Sequence, residues 1–283
     1  MFSSINNCRH FGLTNRKENN MKTLKIKSLL GLLLLIGLNY LQSSCSRYYY
    51  QPNAVNAPML KEKGDMKVAL SGTASSDDLN GSYTKSSVIN IQTAYSPIKY
   101  MGVMANYTNY KHDFEAEDFA KGDVDAHASL FEVGVGGYYP IFLKENGFGL
   151  VADTYVGFGG GKLKSDVDMN FNRLFIQPGI SLTFPYFDIG LATRISGIKY
   201  NSFNSNGMSP EYISNQGLNN ITDKRYYFFE PALTLRTGYK FVKIELQVVG
   251  SSSFKNLDWD YDDNIATLGI HFSILDAIKW SKR

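Results

Sequence analysis

From Met66 onward apolar and polar residues alternate with a period of two and almost no helical periodicity, the pattern of strands with one apolar and one polar face. Ten apolar rows can be traced. The first five are Met66-Val68-Leu70, Ile89-Ile91-Thr93-Tyr95, Met101-Val103-Ala105-Tyr107, Phe131-Val133-Val135 and Phe148-Leu150-Ala152-Thr154-Val156-Phe158. The second five are Leu174-Ile176-Pro178-Ile180-Leu182-Phe184, Phe187-Ile189-Leu191-Thr193-Ile195, Phe229-Pro231-Leu233-Leu235, Val242-Ile244-Leu246-Val248 and Ala266-Leu268-Ile270-Phe272-Ile274. Short turns at Ser96-Pro97-Ile98, Pro140 to Gly147, Pro185-Tyr186 and Tyr239-Lys240 alternate with long polar stretches near 76–86, 111–127, 160–171, 199–224 and 251–263. Five long connections at one end, with four short turns and both termini at the other, predict an all-β fold. The expectation is a single ten-stranded antiparallel up-and-down β-barrel of outer-membrane type over residues 66–274, followed by a C-terminal tail, 275–283.

Period two does not say which face points inward, because a lipid-facing apolar row and the apolar interior of a soluble barrel look alike. The polar row decides. It reads Lys67-Ala69-Ser71, Asn90-Gln92-Ala94, Gly102-Met104-Asn106 and Glu132-Gly134-Gly136, mostly small residues with one or two charges per strand. A water-facing surface carries many more charges, whereas small residues suit a crowded lumen. Tyr95, Tyr100, Tyr107, Tyr138, Tyr139, Tyr186, Phe187, Tyr226, Tyr227 and Tyr239 lie near strand ends, where aromatic girdles meet the two membrane interfaces.

Ahead of the barrel, the apolar run Leu29 to Leu38 is too short for a spanning helix, which needs about 20 residues. Lys22, Lys25 and Lys27 precede it and Ser43-Ser44-Cys45 follows it, so residues 21–44 read as a secretory signal peptide. Residues 1–20 read as an upstream extension without a structural role. This leading stretch also explains the charge. The whole chain has 29 Lys or Arg against 26 Asp or Glu, yet residues 1–44 hold Arg9, Arg16, Lys17, Lys22, Lys25 and Lys27 with Glu18 as the lone acid. The processed chain is slightly acidic and has no basic surface for nucleic acid. Of the two cysteines, Cys8 lies upstream and Cys45 closes the signal, so neither a disulfide nor a thiol nucleophile is expected.

Leu41-Gln42-Ser43-Ser44-Cys45 resembles a bacterial lipobox, in which the cysteine is lipidated and becomes the first residue. With the segment Tyr50-Gln51-Pro52-Asn53-Ala54-Val55-Asn56-Ala57-Pro58-Met59-Leu60 and Lys63-Gly64-Asp65 before the first strand, the chain resembles the outer-membrane β-barrel proteins of Bacteroidota that carry lipoprotein-type signals. The resemblance implies lipidation at Cys45 and an outer-membrane location, with membrane lipid as the partner. One departure is the end of the barrel, where Phe272 is followed by Ser273-Ile274 and a tail ending Trp280-Ser281-Lys282-Arg283 instead of a terminal aromatic. Residues 45–65 read as a periplasmic linker on the inner side, with the five long loops outside.

Nine charged residues sit on the lumen row: Lys67, Glu132, Asp153, Asp188, Arg194, Glu230, Arg236, Lys243 and Glu245. In a narrow barrel they are expected to pair and fill the interior, with Glu132, Asp153, Glu230 and Glu245 meeting Lys67, Arg194, Arg236 and Lys243. Asp166 and Asp168, and Asp258, Asp260 and Asp262, place oxygen ligands at alternate loop positions as Ca²⁺ sites do, but lack the glycine and distal glutamate of an EF-hand. They are weak calcium candidates, and no cofactor is expected. His112, Asp113 and His127 match no hydrolase motif, and no G-x-S-x-G, H-E-x-x-H or P-loop occurs. The expectation is a non-enzymatic barrel with a side-chain-plugged lumen and a structural or surface-interaction role. Its alternatives are a soluble periplasmic lipoprotein barrel that binds a small apolar ligand, and a narrow porin-like channel.

Overall fold

The computed structural model describes residues 48–79, 82–116, 124–144 and 147–282. Residues 1–44, which read as an upstream extension and a signal peptide, and Cys45 lie outside the described residues. Eleven strands follow in chain order: β1 (Met66–Leu79), β2 (Ser82–Ile98), β3 (Met101–Ala116), β4 (Val124–Leu143), β5 (Gly149–Lys164), β6 (Asp168–Thr183), β7 (Phe187–Asn204), β8 (Tyr226–Tyr239), β9 (Val242–Gly250), β10 (Ser252–Ser253) and β11 (Asn264–Ser273). Among the described residues there are also two helices, α1 (Pro210–Asn215) between β7 and β8, and α2 (Ile274–Ser281) after β11.

Each long strand pairs antiparallel with its sequence neighbour, and β11 pairs with β1 in the register Lys67↔Ser273 through Gly72↔Leu268. The ten long strands therefore close on themselves, which removes the sheet edges that would otherwise invite aggregation. The two-residue β10 adds only a short bridge onto β8 at Phe229 and Phe228.

The apolar rows point outward. Phe158, Leu268, Ile244, Leu191, Phe131 and Ile89 are each more than half exposed, while Glu132, Arg173, Arg194 and Glu230 are completely buried. An apolar exterior around a charged interior is the reverse of a water-soluble barrel, and a continuous apolar belt of this kind marks a surface that meets something other than water. The expected aromatics follow the same division except at Tyr138 and Tyr226, which turn into the interior and are buried.

Three of the stretches expected as loops are largely strand. The β1–β2 ladder runs to Leu79↔Ser82, β3–β4 to Phe114↔Val124 and β5–β6 to Lys164↔Asp168. At the top of β5 and β6 the alternation inverts, with Leu163, Val167 and Met169 buried in an apolar cluster and Lys162, Lys164 and Asn170 exposed, while backbone pairing continues. The connections that remain long are 205–225, which carries α1, and 251–263, which carries β10. In the first, Ser209 caps α1 by accepting from the Tyr212 amide at 3.1 Å, and Ile213, Leu218 and Ile221 are buried over the barrel mouth.

The tail is helical. Ser273 Oγ donates to Asp276 Oδ2 at 2.6 Å in the first turn of α2, and the Trp280 ring lies 5.5 Å from that of Phe241. Burial acts to raise the Asp276 pKa, but the Lys67 ammonium and the Ser273 hydroxyl outweigh it and hold the carboxyl below its ordinary value.

Candidate functional site in the barrel lumen

Residues 49–60 do not form an external linker. They run through the interior of the barrel. Tyr49, Tyr50, Asn53, Ala54, Val55, Asn56, Ala57, Met59 and Leu60 are all buried. Pro52 and Pro58 favour an extended course, since proline fixes its own φ and pushes the preceding residue out of the helical region. Such a segment has no neighbouring strand to satisfy its amides and carbonyls, and unpaired backbone groups are costly when buried.

Wall side chains supply the missing partners. Gln247 accepts from the Val55 amide at 2.7 Å and donates to the Val55 carbonyl at 2.8 Å, reproducing with one amide group what a strand would offer. Gln92 donates to the Ala54 carbonyl at 2.9 Å, Gln177 to that of Asn56 at 2.7 Å, and Arg236 to that of Ala57 at 2.8 Å. Asn56 Nδ2 donates to Asn106 Oδ1 at 2.8 Å and to the Thr93 carbonyl at 3.0 Å.

Apolar residues of the segment seat at three levels. Leu60 packs in a cluster with Met104, Tyr138, Val151, Tyr155 and Phe175, and Val55 with Val88, Val249 and Ile265. Tyr49 and Tyr50 join Tyr200, Phe228 and Trp259 beneath Ile213 and Leu218. Room for Leu60 comes from Gly102, where an added Cβ would lie 2.6 Å from Tyr155 Oη and 2.8 Å from Leu60 Cδ1. Gly102→Val is therefore expected to cost about 1–3 kcal/mol through overpacking. The measurement is the urea midpoint of the folded protein in detergent, and an unchanged midpoint would mean that the segment yields freely.

At the centre, two arginines and two glutamates form a balanced cluster around Asn53. Arg173 Nη1 and Arg194 Nη2 each donate to Asn53 Oδ1 at 2.7 Å, while Asn53 Nδ2 donates to Glu132 Oε2 at 3.0 Å. Arg173 Nη2 lies 2.6 Å from Glu230 Oε2 and donates to Ser196 Oγ at 3.2 Å. Arg194 Nε donates to the same Glu230 oxygen. Glu132 is 3.5 Å from Arg173 and 3.7 Å from Arg194. The Tyr50 hydroxyl donates to Glu230, with its ring 4.2 Å from that of Phe228.

Two further pairs line the end nearer the short turns. Arg236 Nε meets Glu245 Oε2 at 2.7 Å, and Lys243 Nζ meets Asp188 Oδ2 at 2.8 Å. Lys67 reaches Asp65 at 3.0 Å and donates to Ser273 Oγ at 2.6 Å. Of the nine expected lumen charges, Asp153 alone makes no ion pair among the described residues. It faces Gly179 on the half-buried part of β5. Glu132 and Glu230 lie against both Arg194 and Arg173, and Arg173 stands one position before Leu174, where the apolar row of β6 begins. The parity was available, since Arg173 lies in step with Gln177 and Ser181 on the inward face.

The loop aspartates serve the segment and the loops. Asp262 Oδ2 accepts from Gln51 Nε2 at 2.8 Å, and burial raises its carboxyl above the ordinary value against that bond. The Asp260 carbonyl accepts from the Tyr49 amide at 3.0 Å, and Asp166 accepts from the Tyr212 hydroxyl. Asp168 opens β6 opposite Lys164, and Asp258 lies in the loop beside Trp259. Among the described residues no three acidic, histidine or cysteine side chains converge to hold a metal ion.

No protein-family model and no curated protein matches the chain. Among solved structures it is similar to the translocator domain of the autotransporter NalP from Neisseria meningitidis, with 8% identity over 76% of this chain and 90% of that one and a TM-score of 0.39. It is also similar to the transport unit of the autotransporter AIDA-I from Escherichia coli, at 15% identity, 76% and 78% coverage and a TM-score of 0.35. A third similarity is to an outer-membrane channel from Pseudomonas putida F1, at 8% identity, 78% and 99% coverage and a TM-score of 0.35. Likeness at this level is one of barrel architecture and carries nothing about activity or partner.

Proposed function

We propose that the chain is a bacterial outer-membrane barrel of the Bacteroidota lipoprotein type, processed and lipidated at Cys45, and that residues 49–60 keep its lumen closed. It neither conducts solutes nor catalyses a reaction, and acts at the envelope through its ordered outer loops, 205–225 and 251–263. The observation that carries this reading is the fully buried cluster of Asn53, Arg173, Arg194, Glu132 and Glu230 across the middle of the lumen. Side chains without solvent exposure leave no water-filled path, and a charged, occupied interior offers no seat for a small apolar ligand. Barrels of about eight strands are already filled by side chains, and aqueous channels belong to those of about sixteen, so ten strands with an inserted segment favour closure. The apolar exterior supports insertion in a bilayer, with the short turns periplasmic and the longer loops outside.

Two measurements test the reading. The protein is expected in the detergent-soluble membrane fraction, migrating differently when boiled and unboiled; release without detergent would overturn the location. Purified protein in planar bilayers is expected to give no ionic steps. Stable steps from the wild type would make it a channel.

A further inference from the structure

The buried segment has a direction. Leu60 lies nearest the short-turn end, where the Gly64 amide donates to the Ser96 carbonyl at 2.8 Å and the Ser96 amide to that of Asp65 at 2.9 Å. There the chain reverses through Gly64, at φ 82°, and enters β1, which runs back toward the long loops. Tyr49 and Tyr50 lie at the opposite mouth. The Tyr49 amide donates to the Asp260 carbonyl at 3.0 Å and the Asp262 amide to that of Tyr50 at 2.9 Å, while Tyr200 donates to the Tyr49 carbonyl at 2.6 Å. All three partners belong to the long-connection end of the barrel.

We infer that the barrel carries its own N-terminus across the membrane, so that the processed N-terminus, with the diacylglyceryl group on Cys45, is displayed at the outer face. This rests on the proposed orientation and reverses the expectation that Cys45 lies on the inner side. The argument is covalent reach. Cys45 is three residues from Tyr48, and an extended chain covers at most about 3.6 Å per residue, so the two Cα atoms lie within roughly 11 Å. The eleven steps from Tyr49 to Leu60 can extend over about 40 Å, enough to cross an apolar band roughly 25 Å tall. Cys45 can therefore reach the inner face only if the segment leaves the lumen, which would strip Asn53 from both arginines. Nor can an acylated terminus pass a filled lumen afterwards. The segment is enclosed while the wall closes between β1 and β11, and the lipid reaches the outer leaflet over the rim beside residues 260–262.

The test labels full-length protein on intact cells with a membrane-impermeant maleimide. Arg47→Cys reports the N-terminus, Asn206→Cys a long loop and Lys144→Cys a short turn, with the wild type as blank. Labelling of the folded protein in detergent checks that each thiol is reachable, and Ser46→Cys replaces Arg47→Cys if that site is shielded. Arg47→Cys and Asn206→Cys are expected to react on intact cells, and Lys144→Cys only after lysis. Protection of Arg47→Cys while Asn206→Cys reacts would overturn the display and leave the orientation standing. Protection of Asn206→Cys while Lys144→Cys reacts would overturn the orientation itself. A wild-type blank that reacts on intact cells would keep the N-terminus outside but remove the lipid from Cys45.

Discussion

Deleting residues 50–60 is expected to turn a silent barrel into a conducting one. The deletion leaves the Gly64 reversal and every strand pairing in place, and takes away the segment that joins the three apolar levels and the central cluster. The wall alone does not fill the space, because the side chains of Tyr50, Asn53, Val55, Asn56, Met59 and Leu60 occupy it and are buried there. Water entering there would solvate Arg173, Arg194, Glu132 and Glu230, two charges of each sign, so the resulting passage should be small and weakly selective. Single-channel recording in planar bilayers gives the result. A deletion variant that still runs as a folded, heat-modifiable barrel yet gives no steps would mean that the wall side chains close the lumen by themselves.

Arg173→Ala should be the most destabilising single substitution in the lumen. Its guanidinium donates to Asn53, Glu230, Ser196 and the Tyr50 hydroxyl, and approaches Glu132. Without it two buried carboxylates face Arg194 alone, and leaving a buried charge uncompensated typically costs about 3–5 kcal/mol. The expected result is a large fall in the urea midpoint in detergent with no change in conductance. Arg173→Met combined with Glu230→Met should recover a good part of the loss, since replacing a whole buried pair with apolar groups is often neutral while removing one member is not. A single substitution that leaves the midpoint unchanged would mean that water already reaches the cluster. Arg236→Ala should cost less, because Arg236 holds one carboxylate and one backbone carbonyl.

The wall of the barrel was legible in the sequence because its signal is local. A strand with lipid-like surroundings on one side and crowded, polar surroundings on the other must alternate, and ten such rows, with the sparse charges of their inward faces, determine strand number, closure and which side faces out. The signal weakens where that contrast ends. At the upper ends of β5 and β6 the apolar residues turn inward instead, and these stretches, like those of β1 to β4, read as loops although their ladders continue. Arg173 sits near this boundary, one position before the row that announced its strand.

Residues 49–60 show no alternation at all, because an extended segment in a lumen is touched from every side. Their partners are also remote in the chain: Asn53 meets Glu132 at a separation of 79 residues, and Val55 meets Gln247 at 192. Gln92, Gln177 and Gln247 on the inward row are unspecific by themselves, and their amides become ladder substitutes only when a backbone is placed opposite them. By itself the sequence determined a closed wall with its apolar face outward, since the two environments of each strand impose period two on neighbouring residues. Only the tertiary structure decided what fills that wall and at which mouth the N-terminus emerges, since both depend on hydrogen bonds between residues that closure alone brings together.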